Sequence, residues 1–355
     1  MARPELTLVD AAPALRRALL AWFAKHRRPM PWRQQPSAYH TVVSELMCQQ
    51  TQVATVIPYF ERWVARWPDF HALARAREAD VLAVWSGLGY YSRARNLLKL
   101  AQQVAAQAET PRTAAAWLEY RGVGPYTAAA IASISFGEPV AVVDGNVIRV
   151  LARLGGVRDR FKDGSAAAKR FSPLANALVD PKRPGDFNQA LMELGSLVCR
   201  KAAPDCARCP VSRWCDARQE GDAAELPLFV ARKRRTDTVA RVLCVDRRRI
   251  LLRRYHGESR RLAGMLELPT AESINVQVIG EPDLLRKRTI GAVTYEERLH
   301  AVELSAAQRT AVRRDPELEW VSLAVLDKTP LTGPHRLWIG EWLSRDDRTA
   351  RDRRT

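Results

Sequence analysis

The 355-residue chain lacks any run of 18 uninterrupted apolar residues, so no membrane-spanning helix is expected. Its first stretch, MARPELTLVDAAPALRRALL, holds Glu5 and Asp10 and no apolar signal-peptide core, which makes a cytoplasmic protein the default. No tandem repeat of fixed period is present, so a repeat architecture is not expected. Acidic residues are in short supply: 39 Asp and Glu face 56 Lys and Arg, leaving a formal charge of +17. That excess favours a polyanionic partner, DNA or RNA, because phosphate contacts release condensed counterions; a solvated basic surface is the plainer alternative. Hydrophobic residues make up 47% of the chain, too large a share for global disorder. The length exceeds what one core usually fills, so two domains are expected.

From about residue 12 to 200 the chain reads as helix after helix. Leu15, Ala18, Leu19 and Trp22 recur at helical spacing, as do Val42, Val43, Leu46 and Met47, and then Thr127, Ala130, Ile131 and Ile134. Clusters of Gly, Pro and Asp punctuate these segments. After Cys215 the character changes. RQEGDAAELPLFVARKRRTD is charged and linker-like, and TVARVLCVDRRRILLRRY reads as two strands around a tight turn at Asp246–Arg249. RTIGAVTYEERLHAVEL and LEWVSLAVL also favour strand, so the second domain is expected to be α+β. The tail SRDDRTARDRRT is expected to fray.

Residues 121 to 147, RGVGPYTAAAIASISFGEPVAVVDGNV, hold the first candidate site. Gly122 and Gly124 permit a tight bend, and Pro125 suits the first turn of a helix. Exposed amides at such an N-terminus are a ready phosphate site, although the glycines alone are better explained by an ordinary turn between helices. Asp144 reads first as the N-cap of NVIRVLARL. Glu45 reads first as a solvent-facing helical residue.

Six cysteines are present, and CRKAAPDCARCPVSRWC crowds four of them at C-x6-C-x2-C-x5-C spacing: Cys199, Cys206, Cys209 and Cys215. In a reducing compartment that crowding suggests metal rather than disulfides. Four thiolates suit either one zinc ion, the commoner occupant, or one [4Fe–4S] cluster. The same loop exposes Arg200, Lys201, Arg208 and Arg213 to phosphates.

This cysteine spacing resembles the iron–sulfur loop of the helix-hairpin-helix DNA glycosylases, the endonuclease III and MutY families. The resemblance implies [4Fe–4S] over zinc. RGVGPYTAAAIA is similar to the family's DNA-gripping hairpin, with Gly122 and Gly124 at the phosphate. VSELMCQQTQVATVIPYFERW closely resembles the adenine glycosylase motif, whose glutamate, here Glu45, is the general acid–base. Burial beside a base is expected to raise its pKa toward neutrality. Asp144 is implied to cap its helix and to face the sugar, stabilising oxocarbenium character as the glycosidic bond breaks. In lyases of this fold a lysine in the hairpin helix forms a Schiff base. Tyr126 holds that place here, and Lys99 and Lys162 lie outside the hairpin, so a monofunctional hydrolase is implied, with Tyr126 hydrogen-bonded to Asp144. Arg33 of MPWR and Gln189 of FNQALMELG stand where the family contacts the extruded adenine. Gln50 and Tyr90 are implied to wedge the stack around the opposing base, and Thr51, Leu88 and Asn146 complete the expected DNA contacts.

The match runs over residues 20 to 216. It implies a mainly α N-terminal helix-hairpin-helix glycosylase domain with an iron–sulfur loop at 12–220, a linker at 221–231, and an α+β Nudix-like C-terminal domain at 232–345. That last domain reads 8-oxoguanine opposite adenine in the family. RRLAGMLELP resembles its Gly-rich segment, with Met265 and Leu268 in place of aromatics. GAVTYEERLH stands where a Phe-Ser-His-type loop touches the oxidised guanine, placing Thr294 and Tyr295 there. The Nudix catalytic box is absent, so pyrophosphatase activity is not expected. The basic strings ARKRR and DRRRILLRR suit either backbone phosphate or solvent. The implied partner is double-stranded DNA with an adenine:8-oxoguanine mispair, met by a monomer in a bacterial cytoplasm. An endonuclease III-like lyase and a non-catalytic DNA-binding protein are the rivals; Tyr126 speaks against the first, and Glu45 with Asp144 against the second.

Overall fold

The computed structural model describes residues 4–231, 235–254 and 264–352. Its contacts divide the chain into two compact units, Met1–Arg75 with Asn96–Ala231, and Ala76–Arg95 with Arg232–Thr355.

The first unit is built almost wholly of helices. In the Ala12–His26 helix the buried stripe is Leu15, Leu19 and Phe23, with Trp22 only partly covered, because an i, i+4, i+8 row follows the helix more closely than the expected one. Ser37 caps the Ala38–Cys48 helix by accepting from the His40 N–H at 3.0 Å. That helix buries Val42, Val43, Leu46 and Met47 and turns Glu45 away from the core.

The expected hairpin is present. Thr113 caps the short Ala114–Leu118 helix, the chain turns through Gly122 at φ 88°, and Pro125 opens the Pro125–Phe136 helix. That second helix is buried from Thr127 to Ser133, on all its faces, as suits an element at the centre of a bundle. Gly137, left-handed at φ 73°, ends it. The Gly145–Leu154 helix follows, and the Pro184–Leu197 helix packs at short range against both. A Cβ on Gly185 would meet the Ser133 carbonyl and Ile134 Cα at 2.8 Å, and one on Gly195 would meet Asn146 Cβ at 2.6 Å. Two glycines thus let one helix approach two others and bring Gln189, Met192 and Glu193 to a shared wall. The stretch expected as a linker is partly built in: β2 (Leu228–Phe229) pairs in parallel with β1 (Arg160–Phe161), and Leu226 is buried.

The second unit holds two sheets. β3 (Arg235–Leu243) runs parallel to β8 (Val293–Ala301), which pairs antiparallel with β7 (Leu284–Ile290). In the other, β5 (Arg249–Arg254) pairs antiparallel with β4 (Val245–Asp246), β6 (Leu266–Glu267) and β9 (Leu318–Ser322). The tight turn falls as expected, with Arg247 and Arg248 both at positive φ. Alternation sorts the core: Leu243, Ile250 and Leu252 join one apolar cluster, Val242, Cys244 and Leu251 another. A charged network is buried among them. Arg241 and Arg288 both reach Glu297, at 2.9 and 2.6 Å, and Glu267, at 3.5 and 3.4 Å. His335 accepts from the Leu268 N–H at Nδ1, and burial pushes its pKa well below the usual value, helped by both arginines. Residues 344–352 of the tail expected to fray continue the Gly333–Asp352 helix, and 353–355 lie outside the described residues. Among the described residues, no helix is long and apolar enough to cross a membrane.

Candidate active site

A cavity of about 860 Å³ opens in the helical unit. Glu45, Tyr126, Asp144, Arg33, Gln189 and Thr51 all line it. With Asn146, which lines it too, seven residues singled out from the sequence thus converge from five segments of chain. Trp32, Met192 and Glu193 also line it and were not singled out. The signal was present: Trp32 adjoins Arg33, and Glu193 lies one helical turn beyond Gln189, on its face.

At its centre the Tyr126 hydroxyl donates to Glu45 Oε2 and lies 3.7 Å from Met192 Sδ. The expected bond from Tyr126 to Asp144 is not made. Both Asp144 oxygens are already engaged: Oδ1 accepts from the Val147 N–H at 2.7 Å, which is the N-cap, and Oδ2 accepts from Asn146 Nδ2 at 2.9 Å. Tyr126, on a neighbouring helix, reaches the free carboxylate of Glu45 instead.

Burial pushes the pKa of Glu45 up from 4.5 to about 7; the Tyr126 hydrogen bond opposes that rise, the Asp144 charge adds to it, and Arg33 opposes it. Such a group carries a proton about half the time near neutrality and can both give and take one. Burial, then the charges of Glu45 and Asp144, hold the Tyr126 phenol well above its usual range, so it stays a donor. Burial also raises Asp144, while the Val147 N–H, Asn146 and Arg149 oppose the rise.

The wall opposite is ionic. Glu193, 1% exposed, binds Arg33 at 2.7 Å and Arg28 at 2.7 Å. Arg33 Nε also donates to Gln189 Oε1 at 2.7 Å. Arg33 and Gln189, both expected at the base, are therefore prealigned by each other. Asn146, expected to meet DNA, spends its amide within the protein: Nδ2 serves Asp144, and Oδ1 accepts from Arg149 Nη2 at 2.8 Å. Arg149 in turn donates to the Cys199 carbonyl at 2.7 Å, joining the cysteine loop to the N-cap.

Gly122 is exposed, and a Cβ there would lie 2.8 Å from Asn96 as well as in an unfavourable φ. Gly124 is the N-cap of its helix, with open space where a Cβ would point, so a backbone ligand can approach closely. Gln50 is exposed at φ 56°. In the other unit Tyr90 stands 58% exposed at φ 49°, with Arg93 over its ring at 5.4 Å. Leu88 does not join it at the surface. It is 6% exposed, because Arg93 folds the turn back by donating to the Leu88 and Gly89 carbonyls.

Thr294 and Tyr295 lie in strand β8 rather than in a loop, so their side chains point to opposite faces. Thr294 pairs with Thr289 at 3.2 Å; the Tyr295 ring faces Arg288 at 5.8 Å. Met265 and Leu268 are core residues. Residues 260–263 of the Gly-rich segment and 232–234 of ARKRR lie outside the described residues.

The four cysteines gather as expected around one small cavity of about 20 Å³, walled by Val150, Arg153 and Leu194. Burial pushes Cys209 up to about 12 and Cys215 up to about 11. Among the described residues, no three His, Cys, Asp or Glu side chains converge closely enough to hold one metal ion.

Residues 43–175 match the family of HhH-GPD superfamily base excision DNA repair proteins. The adenine DNA glycosylase of Arabidopsis thaliana is 46% identical over 230 residues, spanning 57% of this chain and 36% of that protein. That of Mycolicibacterium smegmatis is 40% identical over 203 residues, spanning 55% of this chain and 68% of that protein. A thermostable thymine-DNA glycosylase superposes with TM-score 0.52 at 26% identity, over 59% of this chain and 98% of its own. The chain thus spans well under half the length of the Arabidopsis relative but two thirds of the mycobacterial one.

Proposed function

Because this chain belongs to the adenine DNA glycosylase family, we propose that it hydrolyses the N-glycosidic bond of adenine mispaired with 8-oxoguanine or guanine in duplex DNA. The observation that carries the reading is a carboxyl of pKa about 7, bonded to a tyrosine, in one cavity with an N-capping aspartate. Adenine extruded into the cavity meets Arg33 and Gln189 on one wall and Trp32 and Met192 beside them. Glu45, protonated, gives its proton to N7; the bond from C1′ to N9 breaks and its electrons pass to the purine. The sugar, now oxocarbenium-like, faces the Asp144 carboxylate, which stabilises the positive charge. Water then adds to C1′ and returns its proton to Glu45. Adenine and an abasic site leave. Tyr126 keeps Glu45 oriented, and its phenol forms no imine with the sugar, so the strand stays intact.

The four cysteines, at the spacing noted above and lining one cavity, are read as the ligands of a [4Fe–4S] cluster. A cluster takes its thiolates on separate irons. Bound there, it would staple the loop that presents Arg200, Lys201, Arg208 and Arg213 to phosphate. The sheet-containing unit is read as the Nudix-like module that senses the opposing base through the β7–β8 hairpin, and the protein as a cytoplasmic monomer on DNA.

One assay tests the activity. A duplex with adenine opposite 8-oxoguanine is incubated with the protein and resolved with and without hot alkali. Breaks only after alkali are expected. Breaks without alkali indicate a lyase, and a bound but uncleaved duplex indicates a binding protein.

A further inference from the structure

Among the described residues, one buried charge beside the cysteines has no carboxylate partner. Arg153, on the Gly145–Leu154 helix, is 1% exposed and among the largest fully buried side chains. Its Nε donates to the Leu226 carbonyl at 3.0 Å, Nη1 to the Arg200 carbonyl at 2.8 Å and Nη2 to the Lys201 carbonyl at 2.8 Å. Nη1 also stands 3.3 Å from both the Cys199 carbonyl and Cys199 Sγ. The Arg153 carbonyl, in turn, lies 3.4 Å from Cys215 Sγ. Among the described residues, every hydrogen-bond partner of the guanidinium is a carbonyl dipole or a sulfur. A guanidinium does not shed its proton, and burying one against dipoles alone leaves its charge uncompensated.

A set of thiolates on iron, negative overall, would supply that missing charge. The backbone contacts have a second effect. They fix the three consecutive residues 199–201, where the cysteine loop begins, and Leu226, where the chain passes back over it.

We propose that Arg153 is a positioning residue for the cysteine-held cluster: it presets the start of the loop and donates an N–H···S bond to Cys199, so that cluster retention depends on a guanidinium at this position. The proposal rests on reading the four cysteines as cluster ligands. Lysine keeps the charge but offers a single nitrogen, which cannot reach Leu226, Arg200, Lys201 and the sulfur together.

The test compares full-length wild type, Arg153→Lys and Arg153→Gln, purified without oxygen. Iron and acid-labile sulfide per chain are measured, then the decay of visible absorption in air, with circular dichroism to follow the fold. Wild type is expected to carry iron and sulfide, and both folded variants to lose the absorption roughly 10- to 100-fold faster, the range seen when a partner behind a metal ligand is removed. Wild-type decay rates in a folded variant overturn the proposal. Wild type without iron or sulfide after anaerobic reconstitution sinks the cluster reading itself, and the proposal with it. If neither variant folds, hydrogen exchange on wild type stripped of iron decides. Slow exchange at the amides of Cys199, Arg200 and Asp205, which are bonded to Leu194 and Val198 carbonyls, supports a preset loop. Fast exchange there overturns it.

Discussion

The Tyr126 phenol donates its hydrogen bond to Glu45, 81 positions earlier in the chain, and leaves Asp144 to its own helix. The two carboxylates thereby have different hydrogen-bond partners. Glu45 sits in a desolvated place with one neutral donor and titrates near neutrality; Asp144 is tied to a backbone amide and a side-chain amide. Burial raises both acids, but more hydrogen bonds favour the charged form of Asp144 than that of Glu45, and such a difference within one cavity is a physical basis for dividing proton transfer from charge stabilisation.

Glu45→Gln keeps the size of the side chain and an acceptor for Tyr126 but removes the exchangeable proton. Single-turnover excision of adenine is expected to fall by roughly 10²- to 10⁴-fold, with duplex affinity within a few-fold of wild type. Excision at the wild-type rate removes Glu45 from the mechanism.

Tyr126→Phe tests the hydrogen bond itself. The phenol favours the charged form of Glu45, so its loss raises the Glu45 pKa above about 7. If protonated Glu45 is the acid, excision falls as pH rises through that pKa. The falling limb should therefore move to higher pH by about one unit, the size expected for one hydrogen bond to a charged group. A limb that stays in place, or moves to lower pH, contradicts the assignment.

Much of this site was legible in the sequence because its residues sit in short motifs. Gly122 to Pro125, Asp144 as N-cap, and the cysteine spacing are all local patterns, and each appears where local physics puts it. The pairing of Tyr126 was not legible. It depends on which neighbouring helix offers a free carboxylate, and Asp144 had filled its valences locally. The Glu193–Arg28 pair spans 165 residues and leaves no trace in periodicity. Strand parity set Thr294 and Tyr295 on opposite faces, a consequence of β structure at a position taken for a loop. The grouping of Ala76–Arg95 with the later unit was equally invisible, since its helical pattern looks like that of its neighbours.

Glu193 carries a prediction of stability. Its carboxylate is 1% exposed and neutralises Arg33, whose side chain is 16% exposed, and Arg28, at 36%. Glu193→Ala strands two cations, one of them half-buried, and is expected to cost up to about 3–5 kcal/mol in chemical denaturation of the helical unit. Arg28→Ala removes a solvent-screened partner and leaves Arg33 in place, so its cost should stay within about 1 kcal/mol. Equal costs for the two variants would show that the pair does not divide between buried and screened partners as described.

Glu45 also makes the fold sensitive to pH, with a definite sign. Its folded pKa, about 7, lies above its ordinary 4.5, so the folded state holds the proton more tightly than the unfolded chain. Below pH 4.5 both states are protonated and the side chain causes no penalty. Between 4.5 and 7 the unfolded chain ionises first, and stability falls as pH rises; above 7 the penalty is constant. The rise from 4.5 to about 7 corresponds to roughly 3 kcal/mol, at about 1.4 kcal/mol per pH unit. Glu45→Gln, neutral at every pH, should therefore be more stable than wild type at pH 8 by up to roughly 3 kcal/mol and equal to it near pH 4. Denaturation of both proteins across that range reads the difference directly. A variant that is less stable than wild type at pH 8 would mean that Glu45 is not held against its charge, and the acid–base role assigned to it would lose its physical basis.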